Sequence, residues 1–240
     1  MSYNLKNLLD SVLNSYIDEF KKKSNNIINV ESLDVPFRVA QAIEILDILH
    51  KNFDFYEIKF LETGASQNWD DGCFGYLFAN LVKEFGGEFI SVDNNDEVIK
   101  KSNELYKEII PDVEVFSYVD DSVNFIKNTK NKFNLVHLDS FNLDLKEPLP
   151  SMLHGWREFD LIKDKIEVGG IVIIDDNYFK GSWVEWIHPD GSREIIDINY
   201  EIIGKGALVY HFCKDKNNGW EILSKKDVGP NKKLIFKKLK

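Results

Sequence analysis

The sequence predicts an α/β fold in which a mostly parallel sheet carries helices on both faces. The first observation behind this is a series of five short apolar runs, at 56–61 (YEIKFL), 88–92 (EFISV), 113–116 (VEVF), 133–138 (FNLVHL) and 170–174 (GIVII). Each is rich in β-branched or aromatic residues and bounded by turn residues, as in strands buried on both faces. The second is the helical periodicity of the segments between them. In 74–85, Leu77, Phe78, Leu81, Val82 and Phe85 share one face, and 97–109 and 122–128 are also helix-like. In 152–166 the apolar positions are Leu153, Trp156, Phe159, Leu161 and Ile162. Strands that alternate with helices build right-handed βαβ units and a parallel sheet.

The third observation is a change of rhythm after Asp176. Segments 195–203 and 207–212 read as two antiparallel strands joined by a Gly204-Lys205-Gly206 turn, which brings the sheet to seven strands. Two amphipathic segments precede the first run; the second opens at Pro36, a residue suited to a first helical turn, and continues through Val39, Ile43, Leu46 and Leu49. The expected organisation is an N-terminal helical extension over 1–52, acting as a lid or as the contact of a homodimer, and one sheet domain over 53–240. A chain of 240 residues is long enough for such a domain with a full core.

Composition narrows the partners. With 43% hydrophobic and 29% charged residues the chain is of ordinary globular type. Its formal net charge of −10 repels a phosphate backbone, so no nucleic-acid partner is expected. The short basic clusters Lys21-Lys22-Lys23 and Lys232-Lys233 read as solvated surface. Cys73 and Cys213 form no CxxC pair and read as reduced thiols. No segment approaches the roughly 20 apolar residues that span a bilayer. The N-terminal stretch, which carries Asp10, Asp18 and Glu19, lacks the apolar centre of a signal peptide. A cytoplasmic protein with no membrane partner is expected.

In open parallel sheets, ligands bind beyond the carboxyl ends of the strands. The first run is followed by Glu62-Thr63-Gly64-Ala65-Ser66, where small residues let the backbone approach a ligand and the next helix offers free N–H groups. The second run ends in Asp93-Asn94-Asn95. An acid there is placed to accept hydrogen bonds from the ribose hydroxyls of a nucleoside, although Asp93 or Asn94 would equally cap the next helix. After the third run, Asp120-Asp121-Ser122 offers the same two readings. The combination of Glu62, Gly64 and Asp93 favours a nucleoside ligand.

The stretch LETGASQNWDDG, followed by a helix and then ISVDNN, resembles the first two motifs of class I S-adenosylmethionine-dependent methyltransferases. The resemblance is to the branch whose motif reads E-T-G with a Trp/Asp/Gly-containing insertion. It implies a Rossmann-like fold and S-adenosylmethionine as cofactor. Glu62, Gly64, Ala65 and Ser66 would then hold the methionine part, Asp93 and Asn94 the ribose, and Asp121 with Ser122 the adenine amino group, Asp120 being the neighbouring alternative. The pattern departs from the common E/DxGxGxG: Ala65-Ser66 and a longer loop replace the later glycines.

Two more strand ends are acidic. The fourth run ends in His137-Leu138-Asp139-Ser140 and the fifth in Asp175-Asp176-Asn177. Carboxylates packed this closely repel, and a divalent cation would offset that cost; oxygen ligands select Mg²⁺, Ca²⁺ or Mn²⁺. The pattern resembles metal-dependent O-methyltransferases, with Asp139 and Asp176-Asn177 matching the catechol type. Asp175-Asp176 matches the macrocin (sugar) type, which GGIVIIDDNY resembles especially. The resemblance implies Mg²⁺ or Mn²⁺ held by Asp139, Asp176 and Asn177, with Asp175 as the alternative ligand, and Asp139 touching both cofactor and acceptor.

These readings predict methylation of a hydroxyl on a small acceptor, a sugar or nucleotide-linked sugar, in polysaccharide or natural-product tailoring. A catechol-like acceptor is the alternative, but the Lys base of the catechol type falls here on Asn142. Candidate bases are His154, His188 and Asp144. Trp183, Trp186 and His188 would form an acceptor wall, and Arg38 or Arg157 would meet a phosphate. A nicotinamide-dependent oxidoreductase, which the missing GxGxxG disfavours, and a non-catalytic binding module are the competing classes.

Overall fold

The computed structural model describes residues 2–24, 29–30, 35–69, 72–187, 192–224 and 231–240. Alternation along the strands decides its layers. Phe60, Phe89, Leu135, Ile171, Ile173 and Ile235 face one core. Their chain neighbours Leu61, Ile90, Val136, Val172, Ile174, Leu234 and Phe236 face a second core on the other side. Successive strand residues point to opposite faces, so a strand that is apolar at every position must be covered twice. The first core is covered by α1 (Ser2–Lys23), α2 (Phe37–Asn52), α3 (Phe74–Phe85) and α4 (Asp96–Ile109). The second is covered by α5 (Ser122–Asn128), α6 (Leu149–Ile162) and α7 (Ala207–Cys213).

A short pair, β1 (Asn29–Val30) and β2 (Val35–Pro36), precedes the main sheet. Five strands then run parallel in the order β5 (Val115–Val119), β4 (Gly87–Asp93), β3 (Ile58–Thr63), β6 (Phe133–Leu138) and β7 (Ile166–Phe179). The chain builds outward from β3 to β5, then crosses back to β6 on the other side of β3. Strand order therefore reverses between β3 and β6, where open α/β sheets bind ligands.

The C-terminal part departs from the expected hairpin. Segment 207–212 is not a strand but the first six residues of α7, with Ala207, Val209, Tyr210 and Cys213 buried. A short apolar run such as ALVYHF lacks the alternation that would tell a strand from a buried helix. Segment 195–203 also divides. Its start belongs to β9 (Arg193–Asp197), which pairs with β8 (Trp183–Ile187) in a separate hairpin, and its end to β10 (Ile202–Gly204), which pairs with β7. The sheet is closed instead by β11 (Trp220–Ile222) and β12 (Lys232–Lys238), with β12 inserted antiparallel between β11 and β7. Among the described residues the sheet thus has eight strands, five of them parallel. Lys233, expected on the surface, is buried within it.

The N-terminal helices share the first core with the sheet. Tyr16 and Phe20 of α1 are fully buried, and Tyr16 lies against Trp69 and Phe74. Among the described residues, no helix is long and apolar enough to cross a membrane.

Candidate functional site

A cavity of about 560 Å³ opens beyond the carboxyl ends of β3, β4, β6 and β7, within the range of about 300–1,000 Å³ usual for small-molecule sites. Gly64, Ala65, Ser66, Asp93, Asn94, Asp121, Ser122 and Asp139 all line it. Gly64 follows β3 with φ +79°, and a Cβ there would lie 2.5 Å from the Asp139 carbonyl oxygen. Only glycine permits that approach, which lets the turns after β3 and β6 touch.

Asp93 fastens the loop. Its Oδ2 accepts from the Ala65 N–H at 3.1 Å and its Oδ1 from the Asn95 N–H at 2.9 Å. An ionised carboxylate offers about four acceptor positions, so capacity remains on the cavity side. The cap of α4 is neither Asp93 nor Asn94 but Asn95, which accepts from the Glu97 N–H at 2.9 Å. Asp121 caps α5, accepting from the Asn124 N–H at 2.9 Å, and it also lines the cavity. Asp120 instead accepts from the Asn124 Nδ2 at 2.8 Å.

Glu62 departs from the expectation of a cofactor contact. It is wholly buried beneath the loop and does not line the cavity. It accepts from Ser66 Oγ at 2.7 Å, Ser91 Oγ at 2.9 Å and Tyr106 Oη at 3.2 Å. Burial raises its carboxyl above the ordinary range, against the pull of those hydroxyls. Its role is to hold Ser66, whose Oγ in turn accepts from the Gly75 N–H at 3.1 Å near the start of α3. Further along the loop, Trp69 packs against Tyr16 of α1 and Tyr76 of α3, and the Tyr16 hydroxyl donates to the Gly72 carbonyl. The N-terminal helix thus props the loop from below.

The other side of the cavity is built from Asp139, Asp175 and Asp176 together with two lysines that the strand-end reading missed. Lys205, wedged between Gly204 and Gly206, brings its Nζ to 2.6 Å from Asp139 Oδ1 and 2.8 Å from Asp176 Oδ2. Lys233 of β12 pairs with Asp175 and lies 4.1 Å from the centre of the Phe74 ring. The Asp175 carboxyl is buried, which alone would raise it, yet Lys233, reinforced by Arg38 and Lys205, holds it below the usual carboxylate range. Burial pushes Asp139 up to about 8; Lys205 pulls the other way, while Asp175 and Asp176 add to the rise.

The expected metal set does not fit this arrangement. Asp139 and Asp176 do converge, but on an ammonium. Asn177 is turned away from the cavity: its Nδ2 donates to the Ile174, Asp175 and Lys232 carbonyls, and its Oδ1 accepts from the Gly206 N–H at 2.7 Å. The alternative ligand Asp175 is taken by Lys233. Ligand atoms of His137, Asp139 and Asp175 do lie within 4.8 Å of one another. The His137 ring is buried with neither nitrogen partnered among the described residues. Burial, with Lys233 and Lys205 adding to it, pushes His137 down to about 3, so the ring is neutral.

His154 lines the cavity from α6 and belongs to a buried network. Ser140 Oγ donates to Glu158 Oε1 at 2.7 Å and lies 2.8 Å from His154 Nε2, while Ser122 Oγ lies 3.2 Å from the same nitrogen. A serine has one proton; with that given to Glu158, His154 must donate from Nε2, which leaves Nδ1 as its proton acceptor. Phe141 stacks on the imidazole at 5.0 Å.

The remaining candidates lie elsewhere. Asp144 accepts from the Lys146 N–H at 2.8 Å in its own loop and is not on the cavity. Arg38 and Arg157 are also off its lining, and Trp183 is an exposed residue of the β8–β9 hairpin. His188 lies outside the described residues, as does the side chain of Trp186. Of the residues missed, Glu158 carried a usable signal, an acid within the Gly155/Phe159/Ile162 face of α6.

No known sequence family and no curated protein matches the chain. Its likeness is to solved structures. An S-adenosylmethionine-dependent methyltransferase from Clostridium acetobutylicum is 15% identical over 83% of this chain and 91% of its own, with a TM-score of 0.51. A Streptococcus mutans protein assigned as a methyltransferase, solved with S-adenosylhomocysteine, is 15% identical over 82% and 97%, with a TM-score of 0.52. A Clostridium thermocellum protein assigned as an rRNA methylase is 15% identical over 81% and 94%, at 0.51. At this identity the likeness is one of architecture: the chain has the Rossmann-like α/β fold of these solved methyltransferases.

Proposed function

We propose that the protein is an S-adenosylmethionine-dependent methyltransferase acting on a hydroxyl of a small acceptor, a sugar or nucleotide-linked sugar. The observation that carries this reading is the cavity at the strand-order reversal, where the Gly64–Ser66 turn, the Asp93 carboxylate and Asp121 share one wall. Asp93 would accept from ribose hydroxyls, Asp121 from the adenine amino group, and the turn would hold the amino-acid part. The bound sulfonium supplies an electrophilic methyl group. The chain must align an acceptor oxygen with it and remove a proton.

Asp139 is the group suited to that proton. Lys205 holds its Oδ1, and the carboxyl still lines the cavity. A carboxyl pushed up to about 8 is, in its ionised form, a stronger base than an ordinary carboxylate. The acceptor hydroxyl would lose its proton to Asp139 as its oxygen gains the methyl, and His154, through Nδ1, is the second candidate. Ser140, Asn142, His154 and Asp176 make the rest of this wall polar, which suits a hydroxyl-rich ligand. The net charge of −10 disfavours an RNA acceptor. Divalent-metal assistance, which the acidic cluster led us to expect, is not part of this reading.

Calorimetry with S-adenosylhomocysteine and with NAD tests the cofactor. Binding of S-adenosylhomocysteine, weakened about 10–100-fold by Asp93→Ala through loss of a charged acceptor, is expected. Binding of NAD alone would sink the reading. Screening nucleotide sugars for methyl transfer tests the acceptor class, with Asp139→Asn expected to keep cofactor binding and lose transfer.

A further inference from the structure

We propose that the Lys205 ammonium is the resident cation of the acceptor site, filling the place between Asp139 and Asp176 that a divalent metal would otherwise take, so that the protein works without a bound metal. This deepens the methyltransferase reading and rests on it for its catalytic meaning, but the cation site itself stands on separate geometry.

An ammonium has three N–H donors. Lys205 donates to Asp139 Oδ1 at 2.6 Å and to the Asp139 carbonyl at 3.1 Å, and its Nζ forms an ion pair with Asp176 Oδ2 at 2.8 Å. The Lys205 side chain is only 4% exposed. The main chain is shaped to deliver it there. Gly204 has φ +122°, and a Cβ on it would lie 1.9 Å from the Asp176 carbonyl oxygen. A Cβ on Gly155 of α6 would lie 2.2 Å from the carbonyl of Lys205 itself. The Lys205 N–H donates to the Asp176 carbonyl at 3.3 Å, and the next N–H, of Gly206, is held by Asn177 Oδ1. The Gly204-Lys205-Gly206 segment is thus a clamped delivery of one positive charge rather than a hairpin turn.

Charge accounting points the same way. Three carboxyl groups, those of Asp139, Asp175 and Asp176, face two buried ammoniums, Lys205 and Lys233, so the cluster holds no large excess of negative charge. A dication in this cluster would sit within a few ångströms of both, and repulsion at that range in a poorly solvated site is large. The Asn177 amide, which would complete an oxygen-ligand set, is already consumed by main-chain groups. Lys205 is therefore a positioning residue: it donates to both Asp139 Oδ1 and the Asp139 carbonyl and holds Asp176 beside them as an ion pair.

The test is titration of the chelator-dialysed full chain with Mn²⁺, read by the electron paramagnetic resonance signal of the free ion. The wild-type protein is expected to bind no stoichiometric Mn²⁺ below about 1 mM, a Kd corresponding to about 4 kcal/mol. Lys205→Ala opens the place between the two carboxylates and is expected to bind Mn²⁺ at least tenfold more tightly. Adding Asp176→Asn to it should abolish the gain, which a merely structural lysine would not produce. One micromolar Mn²⁺ site in the wild-type protein would overturn the proposal, whether lost in Asp176→Asn or, at the His137/Asp139/Asp175 cluster, in His137→Ala. A folded Lys205→Ala with no gain would also overturn it. Should that variant fail to fold, Lys205→Met and the wild-type titration decide. S-adenosylhomocysteine binding measured on the same samples separates the two readings: its absence would remove the cofactor assignment while leaving the Mn²⁺ result intact.

Discussion

Glu62 lies near the carboxyl end of β3 and Asp175 just past the end of the parallel pairing of β7 with β6, both almost without solvent contact, at 0% and 4% exposure. Their surroundings differ in kind. Glu62 is met by three hydroxyls and a main-chain N–H, all dipoles and no cation, and its carboxyl is raised because burial outweighs them. Asp175 is met by a buried ammonium and is held below its usual range although burial pulls it upward. Hydroxyls satisfy a carboxylate's hydrogen bonds without supplying charge, whereas a lysine supplies both. The Gly64–Ser66 side of the cavity thus rests on a carboxylate that is tolerated, and the Lys205 side on one that is neutralised.

The largest expected effect comes from breaking the neutralised side. Lys233→Met should leave Asp175 buried and unpaired, lowering the free energy of urea unfolding by about 3–5 kcal/mol. Adding Asp175→Asn should recover much of this loss, because the cost lies in the orphaned charge. A single variant within about 1 kcal/mol of wild type would mean the pair contributes nothing beyond packing. The pH dependence has a definite sign. A depressed carboxyl adds stability that is present above its ordinary value of 3.8 and is lost as the pH falls below it. Lys233→Met should therefore flatten the acid limb of the stability curve.

The tolerated side should respond less and with the opposite slope. Glu62→Ala strands three hydroxyls and an N–H, at a cost of about 2–3 kcal/mol, while Glu62→Gln keeps an acceptor oxygen and should cost about 1 kcal/mol. A folded carboxyl raised above 4.5 favours the protonated form, so its contribution to stability is fullest below that value and declines as the pH rises through the folded value. Urea titrations at pH 5 and pH 7 should show Glu62→Gln losing that component; an unchanged slope would place the titrating group elsewhere.

The same contrast explains what could be read in the sequence. The parallel strands announce themselves by apolar runs, and the carboxylates at their ends follow from where ligands meet open sheets. Glu62 finds Ser66 four residues away, so the Gly64–Ser66 loop is built locally. Its inward orientation was hidden because a strand-end acid can point to either side of the turn. The lysine-bearing side is assembled across distance: Lys205 meets Asp139 from 66 residues away and Lys233 meets Asp175 from 58. Lys233 lies in KKLIFKK, whose lysines resemble surface until β12 is known to insert between β7 and β11. With these two cations out of view, three neighbouring acidic strand ends read as a metal site.

The smallest effect sharpens the comparison most. Ser91→Ala removes one of the hydroxyls on Glu62 and leaves the others, so its cost at pH 7 should be about 1 kcal/mol. If that hydroxyl serves the ionised carboxylate, its loss raises the Glu62 carboxyl further, and the cost should shrink at pH 5, where less charge needs support. Equal costs at both pH values would mean that the Ser91 hydroxyl fills space and serves no charge. The distinction between a tolerated and a neutralised carboxylate would then have to rest on Ser66 and Tyr106 alone.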